Sequence, residues 1–204
     1  MTSIREALRR LIQRERLAST LLSGPGRSAI IGQRRAMTQR TELISWEEVG
    51  QLIEHLTPQF ETEFDAMVII TRGGIVPGGM LCEALNILDV LTAAVDFPFE
   101  SQKSGSALYA WPAFIQFPDE DQLRGRQVLV VDDVWGSGRT ITAVKNRVSS
   151  AGGFPHTCVL HFNPYRSLFN EAKPDYYAAV TDAHVVYPWE VDRDADRVLL
   201  DAPE

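Results

Sequence analysis

Apolar positions along the chain alternate between helical spacing and short β-branched runs. Ile4, Leu8, Leu11, Ile12 and Leu22 recur at roughly helical spacing with arginines between them, so residues 3–22 read as an amphipathic helix. Ser23-Gly24-Pro25-Gly26 ends it, and residues 27–41 read as an irregular basic linker. Ser45-Trp46-Glu47-Glu48 has the S-x-x-E form of a capping box and predicts a helix from Trp46 to about Leu56, ahead of Pro58. Ala66–Thr71 is apolar and short, as a buried strand is. Arg72-Gly73-Gly74 breaks it, and Pro77 suits the first turn of a helix over Pro77–Asn86. Val90–Phe97, Gln127–Asp132, His156–Phe162 and Tyr176–Val180 predict further strands. Asp133–Arg139 reads as a glycine-containing turn, and Thr140–Ala151 as a helix stopped by Gly152-Gly153. Residues 98–123 hold three prolines, aromatic clusters and no period, which marks a functional lid or a disordered loop.

Strands alternating with helices predict an α/β fold, a parallel sheet flanked by helices. Such sheets bind ligands at the carboxyl ends of their strands. Two loops of unusual chemistry fall at such ends: Thr71–Gly74 and Asp132–Thr140. Composition narrows the setting. The chain has 204 residues, 45% hydrophobic and 23% charged, as a soluble domain with an added arm has. No apolar run approaches the roughly 20 residues of a membrane span. Arginines interrupt every apolar stretch at the N-terminus, against a signal peptide. Cys82 and Cys158 sit in apolar runs and read as reduced buried thiols, so a cytoplasmic address is expected. The net charge of −7 argues against a general nucleic-acid binder, but it is unevenly spread. Residues 1–40 carry +7 and the remainder −14.

The stretch Val128–Thr140 delivers two adjacent carboxylates, Asp132 and Asp133, to a strand end. A turn with Gly136, Ser137, Gly138, Arg139 and Thr140 then leads into a helix. Backbone amides at a helix N-terminus attract anions, and glycine lets them approach a phosphate closely. Two carboxylates would repel that phosphate, so they face another part of the ligand. Vicinal ribose hydroxyls suit them, since a carboxylate accepts two hydrogen bonds. Rival motifs fit less well. A Walker A loop needs a lysine where Arg139 stands, and Ile141 occupies the third-glycine position of a dinucleotide fingerprint. The four histidines and two cysteines have no metal-ligand spacing.

Asp132-Asp133 on an apolar strand followed by Gly138-Arg139-Thr140 resembles the PRPP motif of the type I phosphoribosyltransferases. The resemblance covers roughly residues 43–190 and is closest to the xanthine/hypoxanthine (purine) branch. It implies a parallel sheet with a small C-terminal hood over residues 181–191, carried by a domain at 42–191. The basic arm, 1–41, and an acidic tail, 192–204, lie outside that domain. Asp132 and Asp133 would hold the ribose hydroxyls, and Gly136 to Thr140 the 5-phosphate. Arg72, Gly73 and Gly74 match the loop that binds pyrophosphate in this family, often through a strained peptide bond. Residues 98–123 match a mobile lid, with Lys103, Ser104 and Tyr109 able to reach pyrophosphate. Trp111, Phe114 and Phe117 fit either a pinned lid or a packed hairpin.

Tyr187-Pro188-Trp189-Glu190 resembles the hood of the purine branch. By that match His184 stacks on the base, the backbone of Val185 reads it, and Glu190 orients a water bound to Mg2+. Asn163-Pro164 stands where the branch has Lys-Pro against the purine 6-oxo group, and Asn163 can donate without the charge. Gly136 stands where 6-oxopurine enzymes place an aspartate. These three departures leave open an unusual base, weak turnover or binding alone. The resemblance implies a magnesium-dependent transferase that moves the phosphoribosyl group of PRPP to a nucleobase, releasing pyrophosphate in nucleotide salvage. The alternative is a non-catalytic regulator that senses PRPP or a nucleotide with the same cradle. A homo-oligomer is expected. The arm docks on the acidic body, on a partner subunit or, in the second reading, on nucleic acid.

Overall fold

The computed structural model describes residues 40–97, 111–169 and 171–191. The N-terminal arm up to residue 39, the lid residues Lys103, Ser104 and Tyr109, and the acidic tail lie outside the described residues. In chain order the elements are β1 (Thr41–Leu43), α1 (Trp46–Leu56), β2 (Ala66–Ile70), α2 (Ile75–Leu85), β3 (Val90–Asp96), β4 (Ala113–Gln116), β5 (Gln127–Trp135), α3 (Arg139–Ser150), β6 (Phe154–Phe162), β7 (Tyr176–Val180), β8 (His184–Val186) and α4 (Pro188–Val191). The main sheet runs β4-β3-β2-β5-β6-β7 and is parallel except for β4, which is antiparallel to β3.

Central strands of a parallel sheet are covered on both faces, which is why β2 is apolar throughout. All five of its residues are buried. Successive side chains go to opposite faces. Met67 and Ile69 join Leu129, Val131, Ile53 and Leu81 beneath α1 and α2. Val68 and Ile70 join Val128, Val130, Ile141 and Val144 beneath α3. The Ser45 capping box closes as its sequence predicts. Ser45 Oγ accepts from the Glu48 amide at 3.2 Å, and Glu48 Oε2 accepts from the Ser45 amide at 2.7 Å. Helix α2 starts at Ile75, two residues before the predicted start, so Pro77 falls where an amide has no intrahelical partner anyway.

Further stretches differ from the sequence reading. Strand β5 continues three residues past Asp132 because β6 supplies ladder partners as far as Trp135, opposite Phe162. Residues 113–116, placed in the lid, form β4. Phe114 is the half-buried residue of that strand, against the α3-side core and under the Arg147 guanidinium. Thr41–Leu43, split between linker and domain, is a strand: it pairs in parallel with β8, Thr41 opposite His184 and Leu43 opposite Val186. That two-stranded sheet and α4 make up the hood, where Tyr187 and Trp189 stack at 4.5 Å. Both cysteines are free, but only Cys158 is buried, and burial pushes its thiol pKa up; Cys82 is half-buried.

Candidate active site

The carboxyl ends of β2 and β5 lie side by side at the middle of the sheet. The loop after β2 folds against β5 because two of its residues lack a Cβ. Gly74 packs on the Val131 carbonyl oxygen, and its amide donates to Ile70 O at 2.9 Å. A Cβ on Gly73 would lie 2.5–2.6 Å from the carboxylate atoms of Asp133. The Thr71–Arg72 peptide is cis. On the other side of the cleft Gly138 caps α3 with φ of 77°, a conformation that favours glycine, and a Cβ there would strike the Trp135 indole.

A cavity of about 300 Å3 forms between these loops. Arg72, Gly73, Asp132, Asp133, Thr140 and Glu190 line it, and among the described residues Arg72 is its only cationic side chain. Residues from three separate regions of the sequence thus meet in one space. Gly74 lies underneath, as packing. Arg139 departs from expectation: its guanidinium sits over the Phe97 ring, 4.0 Å from the centroid, and lines a different pocket. Ser137 Oγ accepts from the Arg139 amide at 3.4 Å, within the turn.

Electrostatics make the cavity hungry for donors. Burial, with the neighbouring charge of Asp133 added, holds the Asp132 pKa well above the usual carboxylate range. Burial is also the main cause at Asp133, pushed up to about 6, with the Glu190 charge adding and the Val134 amide opposing. Bound hydroxyls or a cation would relieve this repulsion.

A second cavity, about 160 Å3, adjoins the first and shares Asp133 and Glu190 with it. Gly136, Asn163, His184 and Val185 line it, so the predicted base-facing positions come together. The His184 amide donates to Arg40 O, and Val186 O accepts from the Ile44 amide. Alternation along a parallel strand therefore turns the Val185 amide and carbonyl to the opposite edge of β8. Asn163 lines this cavity with part of its carboxamide turned toward the hood. It is 1% exposed, its Nδ2 donates to Ala183 O at 3.1 Å, and its Oδ1 is enclosed without a partner among the described residues. Its carboxamide ties the end of β6 to the hood.

Two residues escaped the sequence reading of the site. Tyr187 Oη donates to the Asp133 carbonyl at 2.8 Å and accepts from His161 Nδ1 at 2.9 Å. Burial lowers the His161 pKa and raises that of Tyr187, so both stay neutral. Glu190 Oε2 accepts from the Tyr187 amide at 3.0 Å, which fixes that carboxylate over the cleft. The only trace of this network in the sequence is the Tyr187-Pro188-Trp189-Glu190 element itself.

Comparison with known proteins agrees with this geometry. A xanthine-guanine phosphoribosyltransferase of Chromohalobacter salexigens is 27% identical over 153 residues, covering 72% of this chain and 83% of that one. A xanthine-guanine phosphoribosyltransferase of Desulfotalea psychrophila is 26% identical over 160 residues, covering 76% and 89%. The crystal structure of a purine phosphoribosyltransferase from Pyrococcus horikoshii superposes with a TM-score of 0.61 and 25% identity, over 74% of this chain and 94% of that one. Residues 40–195 match the family model of the phosphoribosyl transferase domain, and the chain belongs to that family.

Proposed function

We propose that the protein transfers the phosphoribosyl group of PRPP to a purine base and releases pyrophosphate. One observation carries this reading: the two cavities meet at Asp133 and Glu190, with Arg72 across the first and the Val185 backbone edge along the second. A sugar held between them would present its anomeric carbon to both leaving group and base. Asp132 and Asp133 accept from the ribose hydroxyls. The amides of the Gly136–Thr140 turn hold the 5-phosphate. Arg72 and the Gly73 amide share the charge that grows on the departing pyrophosphate. The base lies on the His184 side, aligned by the hood.

Magnesium fits the donor set. Asp132, Asp133 and Glu190 are hard oxygen donors whose mutual repulsion a cation would offset. No cluster of three or more ligating side chains occurs among the described residues. The ion would therefore be held mostly by pyrophosphate oxygens, with Glu190 contacting it through water. When bound it supplies neutralisation of the leaving group. The lid, with Lys103, Ser104 and Tyr109, would close over the sugar and exclude water. The proposed setting is a cytoplasmic homo-oligomer. Among the described residues no helix is long and apolar enough to cross a membrane.

The test is pyrophosphate release from PRPP with guanine, xanthine, hypoxanthine or adenine, with and without magnesium. Release is expected with at least one purine and only with the metal. Silence with all four removes the activity.

A further inference from the structure

The base-side cavity has one cationic side chain that no motif pointed to. Arg166 lines it, together with Gly136, His184, Val185 and the two shared acids. It sits in the turn that follows β6, three residues after Asn163, and its own amide donates to Asn163 O at 3.3 Å. That turn is fastened to the phosphate-side loop at several points. The Asn163 amide donates to Trp135 O at 2.9 Å, the Leu168 amide to Ser137 O at 3.1 Å, and Trp135 Nε1 to Ser167 Oγ at 3.2 Å. The backbone of Arg166 is therefore held in place. Its guanidinium is exposed and makes no hydrogen bond or ion pair with any described residue.

An arginine so mounted, with five donors and no acceptor among the described residues, is prepared for a ligand. We infer that Arg166 is the residue that selects the base, donating its fork to O6 and N7 of a 6-oxopurine. This rests on the purine phosphoribosyl reading above. The edge of a 6-oxopurine offers two acceptors side by side, which a guanidinium matches bidentately. A 6-aminopurine offers one acceptor and one donor there, so the fork would meet an N–H. Asn163 is buried and commits one of its two Nδ2 hydrogens to Ala183 O, so it has no fork to offer, whereas the exposed Arg166 has a whole one. Gly136 lines the same cavity, and nothing lies within 4 Å of where its side chain would start, which leaves room for the fork and a base edge.

The experiment compares wild type, Arg166→Ala and Arg166→Lys. It measures kcat/KM for guanine, hypoxanthine and adenine, and calorimetric affinity for PRPP, GMP and AMP. Wild type is expected to prefer GMP over AMP at least tenfold. Arg166→Ala should abolish that preference and cut oxopurine kcat/KM by about 10- to 100-fold, the range of one bidentate pair. PRPP affinity and Tm should hold. Arg166→Lys, which keeps charge without the fork, should recover only part of the loss. Equal loss for all bases, an unchanged GMP preference or a wild type without that preference would overturn the inference. A fall in PRPP affinity would assign the guanidinium to phosphate and overturn it as well. A wild type that binds GMP selectively through Arg166 yet turns over no base would instead sink the catalytic reading alone.

Discussion

Asp133→Asn removes one buried charge while keeping the shape of the side chain against Gly73. In the folded protein Asp133 holds its proton up to about pH 6, against an ordinary value of 3.8. The native state thus binds more protons than the unfolded chain across that window, and stability falls as pH rises through it. About two pKa units at 1.36 kcal/mol each correspond to roughly 3 kcal/mol lost by pH 7–8. Asparagine avoids the loss and can still accept from the Val134 amide. Relief at Asp132, whose pKa the Asp133 charge also raises, has the same sign. The ligand-free variant should therefore be more stable than wild type by about 1–3 kcal/mol at pH 8, narrowing to near zero at pH 4. Each kcal/mol corresponds to roughly 2–4 °C in Tm for a chain of this size. Urea unfolding at pH 4, 5, 6, 7 and 8 in magnesium-free buffer reads the gap, and PRPP calorimetry reads the accompanying loss of binding. A gap independent of pH, or an asparagine variant weaker at pH 8, would refute the electrostatic account.

Gly73→Ala should cost more than tenfold in PRPP affinity by calorimetry, because its Cβ would displace the Asp133 carboxylate. Gly79→Ala is the matched comparison: it faces open space within α2 and should gain about 0.5–1 kcal/mol in urea unfolding with PRPP affinity intact. Equal PRPP affinities in these two variants would contradict the close packing at Gly73. Tyr187→Phe strands the Asp133 carbonyl and His161 Nδ1, and should destabilise by about 1–3 kcal/mol. A loss under about 0.5 kcal/mol by the same unfolding assay would mean that the network is slack.

What could be read from residues alone followed from whether the signal was local. The capping box at Ser45 and Glu48 is a four-residue event, and α1 begins and ends where it implies. The uninterrupted apolar run at Ala66 announces a strand covered on both faces, wherever its neighbours lie. The two aspartates and the glycine turn behind them are contiguous, so their meeting was visible too. Thr41–Leu43 and Ala113–Gln116 are strands only because a distant partner supplies the ladder, and neither has enough buried side chains to show a period. Arg139 carries the right chemistry for a phosphate turn, yet its guanidinium stacks on Phe97. Asn163 occupies the position expected, but its direction is set by the Ala183 carbonyl, which no local pattern encodes.

The pairing of β1 with β8 fastens together stretches from opposite ends of the folded unit; Thr181 Oγ1 even donates to Glu42, 139 residues away, at 3.1 Å. A clasp of three residues on each side cannot bear that closure entropy alone, and forms only once the six-stranded sheet has brought its halves together. It is accordingly the last piece to assemble and the first to let go. The Asp132–Asp133 cleft, built on β2 and β5, outlasts it. Loosening of Thr41–Leu43 is therefore expected to free the Val185 edge of the second cavity while the first keeps its shape.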